Sequence, residues 1–332
     1  MRIAYIYCPE ETISDIHGLA VVQKEVCIAD KYLVDRLKSN NHEVELVEYS
    51  ENFIEEIKKL DVDFIFNGAD GLEEIKDYDI LFQKLESTDL PFSGCNRKVN
   101  YLFTNKVIAK EFFMNSSVKT PSYSVVDNNS IPVNIKYPAI IKPDTRDASE
   151  GIDEDSVVHN EQELTKKLDE VLKKFGKVFI EEYIDGREFC VPIIFNKGEV
   201  EVLPILEIDF SEHFENKPKI LSYKAKWSKN TNAFKNTYSR VKELELEIDN
   251  KINETAKLIF SNLNSSGYAT MDIRYANDTP YVLEVNPNPY LAIESDFIKS
   301  AKHYGLTSNE FMEKLVLINK FEIIQPKNKT IN

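Results

Sequence analysis

Residues 271–289 read MDIRYANDTPYVLEVNPNP, and the reading of this stretch decides the rest of the chain. Tyr268 to Tyr275 and Pro280 to Val285 are strand-like runs joined by the turn-forming residues Ala276 to Thr279. The two runs are expected to pair as a hairpin. Side chains alternate along a strand, so Glu284 and Asn286 share one face, and across the hairpin Asp272 points to the same side. Pro287 and Pro289 stop the strand just beyond them. Two carboxylates and an amide oxygen in one place form a hard, oxygen-only set of the kind Mg²⁺ takes when phosphate oxygens complete its shell. A plain polar outer face is the competing reading, and spacing alone leaves the two level.

Moving upstream, residues 179–189 (FIEEYIDGREF) end one strand, turn at Asp185-Gly186 and begin another. A purine can lie across such a connection, bonded by backbone groups near Glu182 and Ile184, with Tyr183 supplying apolar area. Glu188 can accept from ribose hydroxyls. Further upstream, Tyr137 to Lys142 (YPAIIK) is a short buried strand closed by Pro143, which delivers Lys142 to the polar loop 144–151, DTRDASEG. Lys106 lies at a helix start, where the dipole gives an ammonium no help. Either lysine alone reads as a solvated side chain. With Ser149 and Gly151, whose backbone amides can cap phosphate oxygens, they form a set.

Around these motifs the 332 residues are 42% hydrophobic and 29% charged, a globular composition long enough for more than one domain. The 41 basic and 56 acidic residues give 41 − 56 = −15, a field that repels nucleic acid. Cys8, Cys27, Cys95 and Cys190 are too scattered for a zinc site and read as free thiols of a reducing compartment. No apolar run is long enough to cross a membrane, and the opening MRIAYIYCPE reads as a strand; a cytoplasmic protein is expected. With 10 glycines, the chain contains neither GxGxxG nor a Walker loop.

The first hundred residues alternate strands (Arg2 to Tyr7, Glu43 to Val47, Asp61 to Asn67) with helices. The stripe Val22, Val26, Ala29, Leu33 and Leu37 marks the first helix, a βαβ pattern that implies a parallel sheet. Thr104 to Met114 reads as one helix, Glu199 to Ile208 as one strand and Ile248 to Leu263 as a helix. Residues 209–239 show little period of either kind and read as a long functional loop.

In chain order, Lys106, Lys142 with its polar loop, EEYIDGREF, MDIR and LEVNPNP resemble the ATP-grasp superfamily, and within it the D-alanine:D-alanine ligase group. The resemblance spans about the whole chain and is weakest in the first ninety residues. It implies an α/β and α+β ATP-grasp fold: an N-terminal parallel-sheet domain over 1–100, a small central lobe over 101–186, and a C-terminal lobe over 187–332 with a mobile loop at 209–239. ATP would lie between the latter two lobes. By position, Lys106 and Lys142 match phosphate-contacting lysines; Glu181, Glu182, Tyr183 and Ile184 match the adenine-binding strand; Glu188 matches the ribose acceptor. Asp272, Glu284 and Asn286 match the ligands of two Mg²⁺ ions, with Mn²⁺ as the alternative metal, and Lys226 in SYKAKW matches a lysine reaching toward the transferred phosphate.

The departures concern the other substrates. Asp147-Ala148-Ser149 stands where the ligases carry Gly-Ser-Ser, and Trp227 where a Tyr follows the loop lysine. Glu25 matches the glutamate that would join that Ser and Tyr beside the first amino acid. Thr270 stands where the ligases carry an intermediate-stabilising Arg, which leaves Arg274, on the face of Asp272, to serve with Lys226 and Ser149 as catalytic residues. NPNPYLAI, with Asn288, replaces the tail that holds the second carboxylate. The implied activity is an ATP-dependent carboxylate-amine ligase acting on amino acids or small peptides, as a homodimer by analogy with the family. The alternatives are a regulatory ATP-binding protein without turnover and a plain solute-binding protein.

Overall fold

Short β-branched runs open the chain as three parallel strands, β1 (Arg2–Tyr7), β2 (Glu43–Glu48) and β3 (Phe64–Asn67), in the order β2-β1-β3. The computed structural model describes residues 1–8, 20–69, 72, 75–127, 134–144, 149–211, 214, 215 and 217–320, without the side chains of 20–27 and 75. Ile3, Ala4, Tyr5 and Ile6 are all fully buried, as a central strand with covered faces requires. Parallel strands need a crossover, supplied by α1 (Ala20–Ser39); α2 (Phe53–Ile57) and α3 (Ile75–Glu86) complete the layers. Ala29, Leu33 and Leu37 of the expected stripe are buried, while the side chains of Val22 and Val26 lie outside the described residues.

Two helices stand where one was expected: α4 (Arg97–Thr104) and α5 (Lys106–Asn115). Asn105 between them is extended, and its side chain accepts the Ile108 N–H at 3.1 Å. One residue thus ends α4 and caps α5, which points Lys106 away from the α4 axis.

The next sheet is antiparallel, with β4 (Tyr123–Val126), β5 (Ala139–Pro143), β6 (Val157–Val158) and β7 (Val178–Glu182) in the order β4-β7-β5-β6. Helix α6 (Glu161–Phe175) packs Leu164, Leu168 and Val171 onto it. Asn160 caps its start and Gly176, left-handed at φ 77°, ends it.

The largest sheet has six antiparallel strands. It contains β8 (Arg187–Asn196), β9 (Glu199–Val202), β10 (Leu206–Phe210), then, after α7 (Tyr223–Trp227) and α8 (Asn232–Lys235), β11 (Thr237–Val241). Helix α9 (Leu246–Phe260) leads to β12 (Ser266–Ala276) and β13 (Thr279–Asn286), and α10 (Asp296–His303) and α11 (Ser308–Lys320) close the fold. The sheet order is β11-β10-β8-β12-β13, with β9 also on β8. Two expectations are corrected here. The single strand from Glu199 to Ile208 is divided around Pro204, which has no N–H to continue the ladder. The aperiodic stretch 209–239 holds two helices and most of β11, whose pairing with β10 is set by contacts beyond a local period.

Core packing regroups the elements. Val99 and Phe103 of α4 and Phe113 of α5 pack with Phe189, Phe195, Phe260 and Met271 in the core of the six-stranded sheet. The segment 97–115 therefore sides with the larger lobe, although the sequence reading set the central lobe at 101–186. A second core joins Ile3, Tyr5 and Phe66 of the parallel sheet to Tyr268, Phe297, Phe311 and Leu315. No helix among the described residues is long and apolar enough to cross a membrane.

Candidate active site

A cleft opens between the four-stranded and six-stranded sheets. Its walls gather Lys106, Lys142, Ser149, Glu181, Glu182, Tyr183, Ile184, Glu188, Lys226, Asp272, Arg274 and Glu284, twelve sequence-selected residues from five separate stretches of chain. Four selected residues are not among its lining. Asn286 lies at the end of β13, and its amide oxygen accepts the Asn288 N–H at 2.9 Å. Asn288 lines a smaller pocket with Asn67, Gly68 and Tyr268. Trp227 ends α7 beside Lys226, and the Glu25 side chain lies outside the described residues, as do Asp147 and Ala148.

Beneath the cleft, Glu181 is 2% exposed and ion-paired to two lysines: Lys142 at 2.6 Å and Lys110. Burial works against its charge, but the two ammonium groups hold its carboxyl below the usual range. Lys110 is pulled down by its own burial more than Glu181 and its hydrogen bonds raise it, and it also donates to Thr120 at 2.7 Å. The Glu181 carboxylate, assigned from the sequence to an adenine-binding strand, is thus committed to aiming Lys142. Sequence reasoning missed Lys110. Its signal was positional: it lies four residues after Lys106, between Ala109 and Phe113, in a stretch that α5 buries.

Asp272 and Glu284 are direct cross-strand partners on the β12–β13 hairpin, at a register shift that follows Asp272. Burial, and Glu284 beside it, push the Asp272 carboxyl up to about 8, against the pull of Lys226. Glu284 goes the other way: burial opposes its charge, but Lys226, Lys142 and Lys106 hold it low. Two carboxyl groups forced together next to cations and a cleft suit a divalent ion. No group of three or more His, Cys, Asp or Glu side chains converges among the described residues. Two carboxylates, with Asn286 two residues past Glu284 on β13, would suit Mg²⁺ completing its shell with water and phosphate oxygens rather than a closed protein cage.

On the four-stranded wall of the cleft, the Tyr183 N–H bonds Pro138 O at 2.8 Å and the Glu182 N–H bonds Ser122 O at 2.8 Å, while Ile184 lines the cleft beside them. The Glu182 side chain turns away to Ser122 at 2.9 Å and Lys136 at 3.2 Å. Gly186 is required by close approach: a Cβ there would meet the Tyr275 backbone oxygen at 2.3 Å. Two residues read from the sequence as catalytic carry structural contacts. The Ser149 hydroxyl donates to Leu221 O at 2.7 Å and so holds the overlying segment. The Arg274 guanidinium, 4% exposed, donates to Gly186 O at 2.9 Å and to Lys219 O, and pairs with Glu188 at 2.5 Å.

With this geometry in view, comparison with known proteins is decisive. The family model described as "D-ala D-ala ligase C-terminus" matches residues 111–317, well over half of the chain. The chain belongs to the D-alanine–D-alanine ligase family. A relative named D-alanine–D-alanine ligase, from Halalkalibacterium halodurans, is 26% identical over 313 residues, covering 92% of this chain and 97% of that protein. Among solved structures, a D-alanine–D-alanine ligase from Bacillus anthracis complexed with ATP superimposes with TM-score 0.73 at 23% identity, over 96% of this chain and 97% of that one. The VanG D-Ala:D-Ser ligase from Enterococcus faecalis gives 0.71 at 20% identity, over 96% and 99%. The expected ATP-grasp fold stands, and so does the expected reaction class, an ATP-dependent ligase.

Proposed function

We propose that this family member joins two amino acids, D-alanine or a close relative in each role, at the expense of ATP. The carboxylate of one attacks the γ-phosphorus of ATP, the bond to the bridging oxygen breaks, and ADP leaves. The amine of the second then attacks the acyl phosphate, loses a proton and displaces inorganic phosphate. The observation that carries this reading is the pairing of Asp272 with Glu284 in a cleft that also receives Lys106, Lys142 and Lys226. Asp272 and Glu284, with Asn286, would hold Mg²⁺, which when bound neutralises charge on the transferred phosphoryl group. Lys142, aimed by Glu181, and Lys226 add fixed positive charge where negative charge develops. Ile220 and Leu221, lying over the cleft, exclude water from the hydrolysable acyl phosphate.

The reaction belongs in the cytoplasm, and by likeness to the family the working unit is a homodimer, which light scattering checks. The principal test is a screen of amino-acid pairs for ADP and phosphate release. Release that requires both an amino acid with a free carboxylate and one with a free amine supports the reading, and background release with every pair sinks it. A second reading, a regulatory binder, draws on Thr270 standing where the family carries an Arg and on Arg274 being otherwise engaged. It predicts nucleotide binding with no turnover for any pair.

A further inference from the structure

The segment that crosses the cleft is fastened at one residue from two sides. The Lys219 N–H donates to the Tyr183 hydroxyl at 3.0 Å, and the Lys219 carbonyl accepts from Arg274. Both backbone groups of an exposed residue are therefore held by side chains rooted elsewhere, Tyr183 between β7 and β8 and Arg274 on β12. The next residue, Ile220, is 4% exposed and packs on Ile140 and Val157 of the four-stranded sheet. Leu221 O then receives the Ser149 hydroxyl. The segment thus bridges both walls of the cleft, with Arg274 as its charged anchor on the larger sheet. The same guanidinium also holds Gly186 O at the strand connection and the Glu188 carboxylate, and it lies 5.7 Å from the ring centroids of both Tyr183 and Phe210.

We propose that Arg274 is a positioning residue: it locks the 217–222 segment over the base and ribose end of the cleft and orients Glu188, so that it sets nucleotide affinity rather than the chemical step. The proposal rests on the cleft being a nucleotide site. A fork of five donors suits this task, since three acceptors, two from residues 186–188 and one from the segment over the cleft, converge on one planar group. A residue of similar length without charge would leave Glu188 unpaired in a buried place and the Lys219 carbonyl with only the longer 3.4 Å bond from the Tyr183 hydroxyl. Both losses fall where base and ribose would lie, and neither touches the Asp272–Glu284 pair.

The test measures binding of a non-hydrolysable ATP analogue with Mg²⁺ by calorimetry, KM and kcat for ATP, and hydrogen exchange of the peptide spanning 217–224. For Arg274→Met the expected result is an affinity loss of about tenfold, the size of one lost charge-assisted hydrogen bond. KM should rise far more than kcat falls, and the peptide should exchange faster. Arg274→Lys should recover part of the affinity, and Tyr183→Phe, which removes the hydroxyl that accepts from the Lys219 N–H and donates to the Lys219 carbonyl, should speed exchange of the same peptide. Tyr183→Phe and Arg274→Lys decide the matter if Arg274→Met does not fold. Lower kcat with unchanged KM and unchanged exchange overturns the proposal, as do variants indistinguishable from a wild type that binds the analogue. A wild type that does not bind the analogue overturns the nucleotide reading itself.

Discussion

The Asp272 carboxyl is pushed well above its ordinary value because burial and Glu284 act on it together. Asp272→Asn keeps the shape and removes the charge that a divalent ion needs. Turnover should fall at least about a hundredfold, while ADP binding measured calorimetrically in EDTA stays as in the wild type. Lys110 makes the complementary case. Lys110→Met strips the fully buried Glu181 of one of two cations, and unfolding by denaturant should show a loss of about 3 kcal/mol, the low end for a broken buried pair because Lys142 remains. At this scale the sequence was informative where a residue type is rare in its setting. A lysine ending a buried strand, or an acid and an amide two apart before Pro-Asn-Pro, has few structural uses. It was silent on Lys110, since a lysine in a helix usually serves the surface, and on the contacts of Arg274 with Gly186 O, Lys219 O and Glu188, which only the folded chain brings together.

Strand pairing controls the next level. Glu207 on β10 receives Arg187 of β8 at 2.8 and 3.0 Å and Lys242, just past β11, at 3.1 Å. Burial opposes its charge, yet these partners hold its carboxyl below the ordinary value. A depressed folded pKa gives stability that is present above the unfolded carboxylate value and lost as pH falls through the folded one. Glu207→Gln should therefore cost about 2 kcal/mol at pH 7, with the difference from wild type shrinking in acid, as denaturation at pH 7 and pH 3 would show. The turn joining β7 to β8 gives another check. Gly186→Ala drives a methyl into the Tyr275 carbonyl, and a loss of about 1 to 3 kcal/mol should appear as a lowered melting temperature. Element types were readable where the period was strong, as in α6 and the β12–β13 hairpin. Boundaries failed where distant contacts decide them: β9 and β10 part at Pro204, α7 and α8 depend on caps too short to show a period, and Asn105 divides what periodicity joins.

The whole molecule carries a charge of −15, yet it aims three lysines into one cleft. Screening at physiological salt acts over about 8 Å, so a triphosphate inside the cleft experiences those lysines more than the distant surface acids. Saturating ATP with Mg²⁺, at a hundred times its dissociation constant, should add about 2.7 kcal/mol of apparent stability. Scanning calorimetry should register this as a higher midpoint that EDTA largely removes. The mixed parallel and antiparallel architecture could be read from alternating patterns and motif order. Which helix covers which sheet could not, because an apolar stripe states that a face is buried and not against what. That is why α4 and α5 belong with the larger sheet and why the parallel sheet shares its core with α10 and α11.

That shared core bears on how the molecule works. Tyr5 and Phe66 interlock with Phe297 and Phe311, so the beginning and the end of the described chain are welded into one block. The four-stranded sheet meets the rest of the molecule through the buried Lys110–Glu181 ion pair, the Ser149 bond to Leu221 O and the packing of Ile220 on Ile140 and Val157. Parting the two walls of the cleft would have to break those contacts together, while the block built around Tyr5 and Phe297 could stay whole.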